Sequence, residues 1–416
     1  MRKLLLLTIS KERWSEVLDA TDHLTRELLI KAFIPKDEVQ QYRELLMDSL
    51  RGFIHMNALH IGLKVFVNHE RNPEFNEWLG QKPPQKGQDP EAWGNDVFKG
   101  ERFGIILNNL EAYSEELLRV MASNAQGLLE LKGMPLNGLA LLFFMGNYGF
   151  TPFGIHKENT GEEGFLMHFG PGDKTFYTWK KEEYLEMASG QVTHPMERRF
   201  LEKAKKYHME PGDAFFVPSD VFHVAETNDF SFSMVLDYLN PSVNAFKQKL
   251  LDRIQIDPGV NDEIMEPLLP GENYSKVQPQ ISLDSNLEFT YLKHVYTLMS
   301  NGGFEKNVKP GIGEGVNFMN SPFAIKQPFK LCYRKIGENT CEVFSRGHSI
   351  VVPFSQELAS WIDDMNSGSR QTIEHCKERL ADYEFSDLLM LLGFLSNCSA
   401  LDECPVTEQT EGLRTR

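Results

Sequence analysis

Residues 153–158, Phe-Gly-Ile-His-Lys-Glu, and residues 211–223, Pro-Gly-Asp-Ala-Phe-Phe-Val-Pro-Ser-Asp-Val-Phe-His, decide how this 416-residue chain is read. Side chains two apart on a strand point to the same side, so His156 and Glu158 present an imidazole and a carboxylate together. His223 can then complete a three-ligand face. Two histidines and one carboxylate holding one side of a metal, with the remaining positions open, is the arrangement that suits non-heme Fe(II).

A His-x-acid triplet alone carries little weight. With 12 His and 59 Asp plus Glu in the chain, about 1.7 such triplets arise by chance. Two occur, His156-Lys-Glu158 and His208-Met-Glu210, and context separates them. Glu210 leads into Pro211-Gly212-Asp213, a turn signature; a strand-like run Ala214 to Val217 follows, Pro218 bends the chain, and His223 comes five residues later. That spacing resembles the second cupin motif, in which a histidine at the start of the next strand points into a barrel. Asp220 stands where the motif usually has Gly, a turn position that Asp tolerates. Between the two decisive pieces, Gly164–Phe169 and Lys174–Trp179 are strand-like, and Gly170-Pro-Gly-Asp173 between them is a hairpin signal.

These segments, together with Asn147-Tyr-Gly-Phe-Thr-Pro-Phe-Gly, resemble the JmjC-type, cupin-fold 2-oxoglutarate oxygenases, and among them the ribosomal-oxygenase branch. The likeness covers roughly a quarter of the chain by motif and the rest by architecture only. It implies that His156, Glu158 and His223 hold Fe(II), and that Lys174, eighteen residues after His156, grips the distal carboxylate of 2-oxoglutarate. It further implies, on thinner grounds, that Asn147 and Ser233 contribute polar groups near the cosubstrate. The ribosomal-oxygenase branch mostly has Asp in the triplet, whereas Glu158 is common among demethylases, which leaves hydroxylation and N-demethylation both open.

Composition sets the outer limits. With 41% hydrophobic and 25% charged residues the chain reads as an ordinary globular protein long enough for two or three domains. A net charge of −16 argues against DNA or RNA as the partner, because phosphate needs a basic face, and favours a neutral or basic peptide. The five cysteines lie late in the chain without CxxC spacing, so neither a zinc site nor a disulfide framework is expected, and reduced thiols in cytoplasm are the default. The opening Met1-Arg-Lys-Leu-Leu-Leu-Leu-Thr-Ile is too short an apolar run for export or membrane spanning and is read as joining the core.

Along the chain, residues 1–135 read as a mainly helical N-terminal part, with Leu18, Leu24, Leu28, Leu29 and Ala32 spaced as one apolar helical stripe. His55, His60 and His69 are lone histidines and are left out of the site. Residues 136–242 read as the cupin core, entered by a buried strand at Gly138–Met145. Residues 243–304 form a helical linker: a helix from Val243 to Ile256, a proline-rich stretch from Pro258 to Pro279 that marks a boundary, and a helix from Asn286 to Met299. In the family it resembles, such helices serve dimerisation. Residues 305–405 show strands and then helices at about 355–366, 370–381 and 385–397, the last with Ser386 as its N-cap. This segment resembles a winged helix but lacks a basic recognition helix, so a structural or partner-binding role is expected. Residues 406–416 read as a disordered tail.

The expectation is therefore an α+β protein with a double-stranded β-helix core, a helical N-terminal region, a helical dimerisation segment and a winged-helix-like end. As implied by the resemblance, it is an Fe(II)- and 2-oxoglutarate-dependent dioxygenase that hydroxylates a side chain in a peptide or protein, acting as a cytoplasmic homodimer. The alternatives are an N-methyl-lysine demethylase, a small-molecule oxygenase, or a metal-binding cupin scaffold without catalysis.

Overall fold

The computed structural model describes residues 9–56, 62–251, 267, 285–309 and 315–404. The apolar opening before Ile9, His60, the proline-rich stretch apart from Pro267, and the 406–416 tail lie outside the described residues.

Mixed helices and antiparallel sheet make the chain α+β. Its strands, in chain order, are β1 (Leu28–Ile30), β2 (Leu63–Val67), β3 (Glu70–Arg71), β4 (Phe103–Asn108), β5 (Leu139–Gly146), β6 (Gly149–Phe150), β7 (Glu162–Pro171), β8 (Lys174–Trp179), β9 (Lys205–Met209), β10 (Ala214–Val217), β11 (Phe222–Thr227) and β12 (Ser231–Leu239). Eight form one sheet in the order β1-β10-β7-β12-β5-β4-β2-β3, and four form a second in the order β6-β11-β8-β9.

Period-two alternation gives each central strand two different faces. In β5, Leu141, Phe143 and Met145 turn to the main core, where Phe165, Met167 and Phe169 of β7 and Met234, Leu236 and Tyr238 of β12 join them. That face is covered by helices α1 (Lys11–Ala20), α2 (Val39–His55) and, near the end of the N-terminal region, a longer helix at Glu115–Lys132. Trp14 of α1 anchors the layer: it meets Phe33 and Phe165 edge-on at 5.5 and 5.2 Å and donates its indole N–H to Asn124 O at 2.7 Å. On the other face Leu166, Phe215, Val217 and Val235 meet Phe176 and Ala225 of the four-stranded sheet. The two sheets thus face each other.

Two readings of the sequence are corrected here. The apolar stripe from Leu18 to Ala32 is not one helix. Helix α1 ends at Ala20, Asp22, His23 and Leu24 all have positive φ, and Leu28 and Leu29 lie in β1, paired with Phe216 and Phe215 of β10. Three left-handed residues in a row cannot continue a right-handed helix, and the edge of the sheet offers Leu28–Ile30 a ladder instead. Likewise, Gly170-Pro-Gly-Asp173 does not close a hairpin. Strand β7 pairs with β10 and β12, and β8 with β11 and β9. Both edges of β7 are already occupied, so the turn, with Gly170 at φ +64, carries the chain from one sheet to the other.

Beyond the two sheets, helices cover Val243–Leu250 and Ser285–Ser300. A three-stranded meander follows, Cys332–Lys335, Thr340–Ser345 and His348–Pro353, and then helices at Gln356–Asn366, Ile373–Arg379 and Phe385–Asn397. These last elements share a separate core around Trp361, Leu358, Leu391 and Leu395. The Phe385–Asn397 helix is flanked by Glu384 rather than capped by Ser386, which sits inside its first turn. This end is tied to the Glu115–Lys132 helix by a buried ion cluster. Glu115 accepts from Arg346 at 2.6 and 3.2 Å and from Lys326 at 3.1 Å. Burial works against its charge, yet these two cations hold its carboxyl below the ordinary range. No described helix is long and apolar enough to cross a membrane.

Candidate metal centre

The bridge that joins the two decisive segments also builds the site. His156 and His223 exchange backbone hydrogen bonds, N–H of His156 to O of His223 at 3.2 Å and N–H of His223 to O of His156 at 2.8 Å. Directly opposed antiparallel residues put their side chains on the same face, and here the two imidazole centroids are 4.6 Å apart. Each Nδ1 lies 2.9 Å from a backbone carbonyl two residues earlier, Gly154 for His156 and Val221 for His223. A carbonyl only accepts, so each Nδ1 carries the proton and each Nε2 keeps a free lone pair. Both Nε2 atoms face the same carboxylate oxygen, Glu158 Oε1, at 3.7 and 3.6 Å.

Among the described residues, His156, Glu158 and His223 are the group whose donor atoms, all within 4.8 Å of one another, could hold a cation. The fit is chemical as well as spatial. Nitrogen and carboxylate donors about 2.0–2.2 Å from one metal lie roughly 3 Å apart at right angles, which the trio reaches by small rotations. Backbone carbonyls that fix the imidazole tautomer are what metal-bound histidines ordinarily have behind them. The charges already lean the right way. Burial, then the charge of His156, pushes His223 down to about 4, keeping it neutral; burial opposes the charge of Glu158 too, but the two imidazoles that face it hold its carboxyl below the usual range. Burial pulls His156 down, and Glu158 together with the Gly154 carbonyl lifts it, with a net rise above the ordinary imidazole value.

The trio opens into a cavity of about 500 Å³ between the sheets. Lys174, the first residue of β8, lines it with its side chain only 2% exposed. Its ammonium donates to Thr227 Oγ1 at 2.6 Å and to Tyr148 Oη at 3.1 Å. Among the described residues it forms no ion pair. A buried ammonium held by neutral hydroxyls alone is costly, and an anion in the cavity would offset that cost.

Asn147 and Ser233 are not brought to the cavity wall. Asn147 Oδ1 accepts from the Phe103 N–H at 2.9 Å, pinning β4 to the end of β5, and Ser233 Oγ lies 3.2 Å from His168 Nδ1. His168 Nε2 donates to the Gly172 carbonyl at 2.8 Å, so Ser233 donates to Nδ1 and the ring is neutral; burial, then the charge of Lys174, brings it down to about 3. The decoy triplet behaves as its context implies: His208, on β9, is half exposed and faces Asp173 at 3.2 Å. Three residues of the site escaped the sequence reading, two on the cavity wall (Tyr148 and Asp237) and one, Thr227, behind Lys174. Tyr148 adjoins Asn147, Thr227 lies on the same side of β11 as His223 and was findable by counting in twos, and Asp237 is a lone acid in the otherwise apolar and hydroxylated β12.

No protein-family model matches the chain, and no curated protein matches it at a significant level. Among solved structures it is similar to YcfD, a ribosomal oxygenase from Escherichia coli. The complex of that protein with cobalt and succinic acid is 14% identical, over 94% of this chain and 98% of that one, with a TM-score of 0.47. The complex with cobalt and 2-oxoglutarate is 15% identical over the same shares, also at 0.47. A further structure of YcfD is 14% identical over 91% of this chain and 95% of that one, at 0.46.

Proposed function

We propose that this chain is an Fe(II)- and 2-oxoglutarate-dependent dioxygenase of the JmjC type, its two facing sheets forming a double-stranded β-helix, and that it hydroxylates a side chain of a peptide or protein. The observation that carries this reading is one cavity holding both a facial trio of metal donors and a buried ammonium that no described residue neutralises. Iron alone needs the first, and a dianionic cosubstrate needs the second.

When bound, the metal and 2-oxoglutarate supply the oxidation: O2 is consumed, 2-oxoglutarate becomes succinate and CO2, and a substrate C–H becomes C–OH. The residues of the chain do the positioning. His156, Glu158 and His223 occupy one side of the cation and leave the other side open. Lys174, steadied by Tyr148 and Thr227, receives the distal carboxylate. Phe176 stacks on the His223 ring, centroids 5.3 Å apart, and with Leu166, Val217 and Val235 keeps the space between the two anchor points dry. Lys64, Asn108, Asn109 and Asn159 also line the cavity, Asn108 and Asn159 being exposed, as suits a peptide segment. The two helices at Val243–Leu250 and Ser285–Ser300 are proposed for self-association, the C-terminal elements for a winged-helix-like partner module, and the protein for the cytoplasm.

Glu158 keeps N-methyl demethylation as the second reading, because the same abstraction at a carbon on nitrogen ends in formaldehyde. Incubation with Fe(II), 2-oxoglutarate and basic peptides tests both. The expected product is succinate together with a peptide heavier by one oxygen atom. Formaldehyde with a peptide lighter by one CH2 would replace hydroxylation by demethylation, and no succinate under any condition would remove the oxygenase reading altogether.

A further inference from the structure

We propose that Asp237 is the substrate-recognition residue of this cavity, receiving a cationic, hydrogen-bond-donating group such as an ammonium or guanidinium; the assignment rests on the oxygenase reading of the same cavity. Asp237 sits on the inward face of β12, where Val235, Asp237 and Leu239 all line the cavity. Its two partners across the sheet are Ala140 of β5 and Gly164 of β7. These are the two smallest side chains available, and they leave the carboxyl uncovered from either side. A Cβ placed on Gly164 would crowd Val235 Cγ1 at 3.2 Å and would touch Val217 Cγ1 at 3.6 Å and Asp237 Oδ1 at 3.8 Å, so a methyl there would fill the space beside the carboxyl that the glycine leaves free.

No described residue answers this carboxyl. Among the described residues it accepts no hydrogen bond and forms no ion pair, and the charges that act on it, Glu158, Glu162 and Glu111, are all acidic. Burial first, and then these acids, raise its pKa well above the ordinary range. A cation arriving beside it restores the charged form and supplies the missing donors. Asp237 does not belong with the metal donors, which are His156, Glu158 and His223.

Position along the strands separates it from the cosubstrate. Lys174 donates to Tyr148, two residues past Gly146, and Gly146 is the register partner of Ser231, six residues before Asp237 on β12. At about 3.3 Å per residue that is roughly 20 Å of strand. Lys174 and His223 are likewise offset along the paired strands β8 and β11, His223 lying opposite Thr178. A cosubstrate reaching from Lys174 to the metal therefore leaves the Asp237 end to the group being oxidised or to its neighbour.

The test uses the whole chain, loaded with Fe(II) and 2-oxoglutarate without oxygen. The probes are N-acetyl-lysinamide and N-acetyl-argininamide, each against its neutral isostere with norleucine or citrulline, and binding is read by calorimetry. A charge-assisted hydrogen bond is worth about 1.5–3 kcal/mol, so the wild type should prefer at least one cationic probe by about 10-fold or more. Asp237→Asn should abolish the preference. Gly164→Ala, which keeps the charge and narrows the approach, should reduce it, and this variant carries the test if Asp237→Asn does not fold. Equal binding of charged and neutral probes by the wild type, binding of neither, or a preference that survives in Asp237→Asn would overturn the assignment. Metal and 2-oxoglutarate binding are read in the same samples. Their loss in the wild type strikes the oxygenase reading, whereas their presence without cation preference strikes Asp237 alone.

Discussion

The two faces of the eight-stranded sheet are made by the same strands and could hardly differ more. One turns Phe143, Phe165, Phe169 and Phe232 into a sealed layer under α1, α2 and the Glu115–Lys132 helix. The other, one residue out of phase, turns Ala140, Gly164, Val235 and Asp237 toward an open cavity, opposite His223 and Lys174 of the second sheet. The difference teaches that stability and chemistry are separated here by strand parity, not by sequence distance. Neighbours such as Leu236 and Asp237 serve opposite ends.

That separation can be broken first on the packed side. Phe143→Ala removes a fully buried ring and should lower unfolding stability by about 3–5 kcal/mol, measured by denaturant titration, while the folded protein still binds metal with wild-type affinity. Loss of metal by the folded variant would show that the faces are coupled.

On the cavity side, Lys174→Ala should weaken 2-oxoglutarate by about 2–5 kcal/mol, or about 30-fold or more, with the metal retained. An unchanged Michaelis constant would hand the anion to another cation; Arg102, outside the cavity wall, is the next to test.

Glu111 is the polar exception under the sheet, and it sharpens the contrast. One of its oxygens accepts from the Leu141 N–H at 3.1 Å, the other has no hydrogen-bond partner among the described residues, and burial lifts its pKa to about 8. Because the folded value lies above the unfolded one, the folded protein holds the extra proton; the stabilisation is complete below about pH 4.5 and is lost as pH rises through about 8. Glu111→Gln should flatten the fall of unfolding stability between those limits, by on the order of 2 kcal/mol at the upper end, read by denaturant titration across pH. An unaltered pH profile would mean that the carboxyl is not the titrating group.

The smallest effect is expected at the decoy. His208→Ala should leave metal binding unchanged and alter stability by no more than about 0.5 kcal/mol, as for an exposed position.

How much of this was legible beforehand depended on whether the signal was local. His156, Glu158 and His223 were readable because the turn at Pro211-Gly-Asp and the bend at Pro218 mark the chain around them, and the same context set His208 aside. The strand that enters the core, Leu139–Gly146, was readable from its continuous apolar run. Pairing was not: Gly170-Pro-Gly-Asp173 looks the same whether it closes a hairpin or changes sheets, and only the strands already beside β7 decide. The Leu18–Ala32 stripe failed for a similar reason, since β1 exists only because β10 presents an edge to it. Asn147 and Ser233 were placed by resemblance, and their side chains turned out to be engaged with Phe103 and His168. Asp237 did leave a mark, a charge within an apolar strand, but its meaning depended on Gly164 and Ala140 lying beside it in space.

The most direct test of the whole scheme is a calorimetric titration of 2-oxoglutarate into the oxygen-free protein, with and without Fe(II). One molecule of cosubstrate should bind per chain, tightly only when one Fe(II) is bound, and that dependence should vanish in His156→Ala, Glu158→Ala and His223→Ala alike. Equal binding of 2-oxoglutarate by His223→Ala and wild type, or no response of the wild type to Fe(II), would contradict the metal centre at its root.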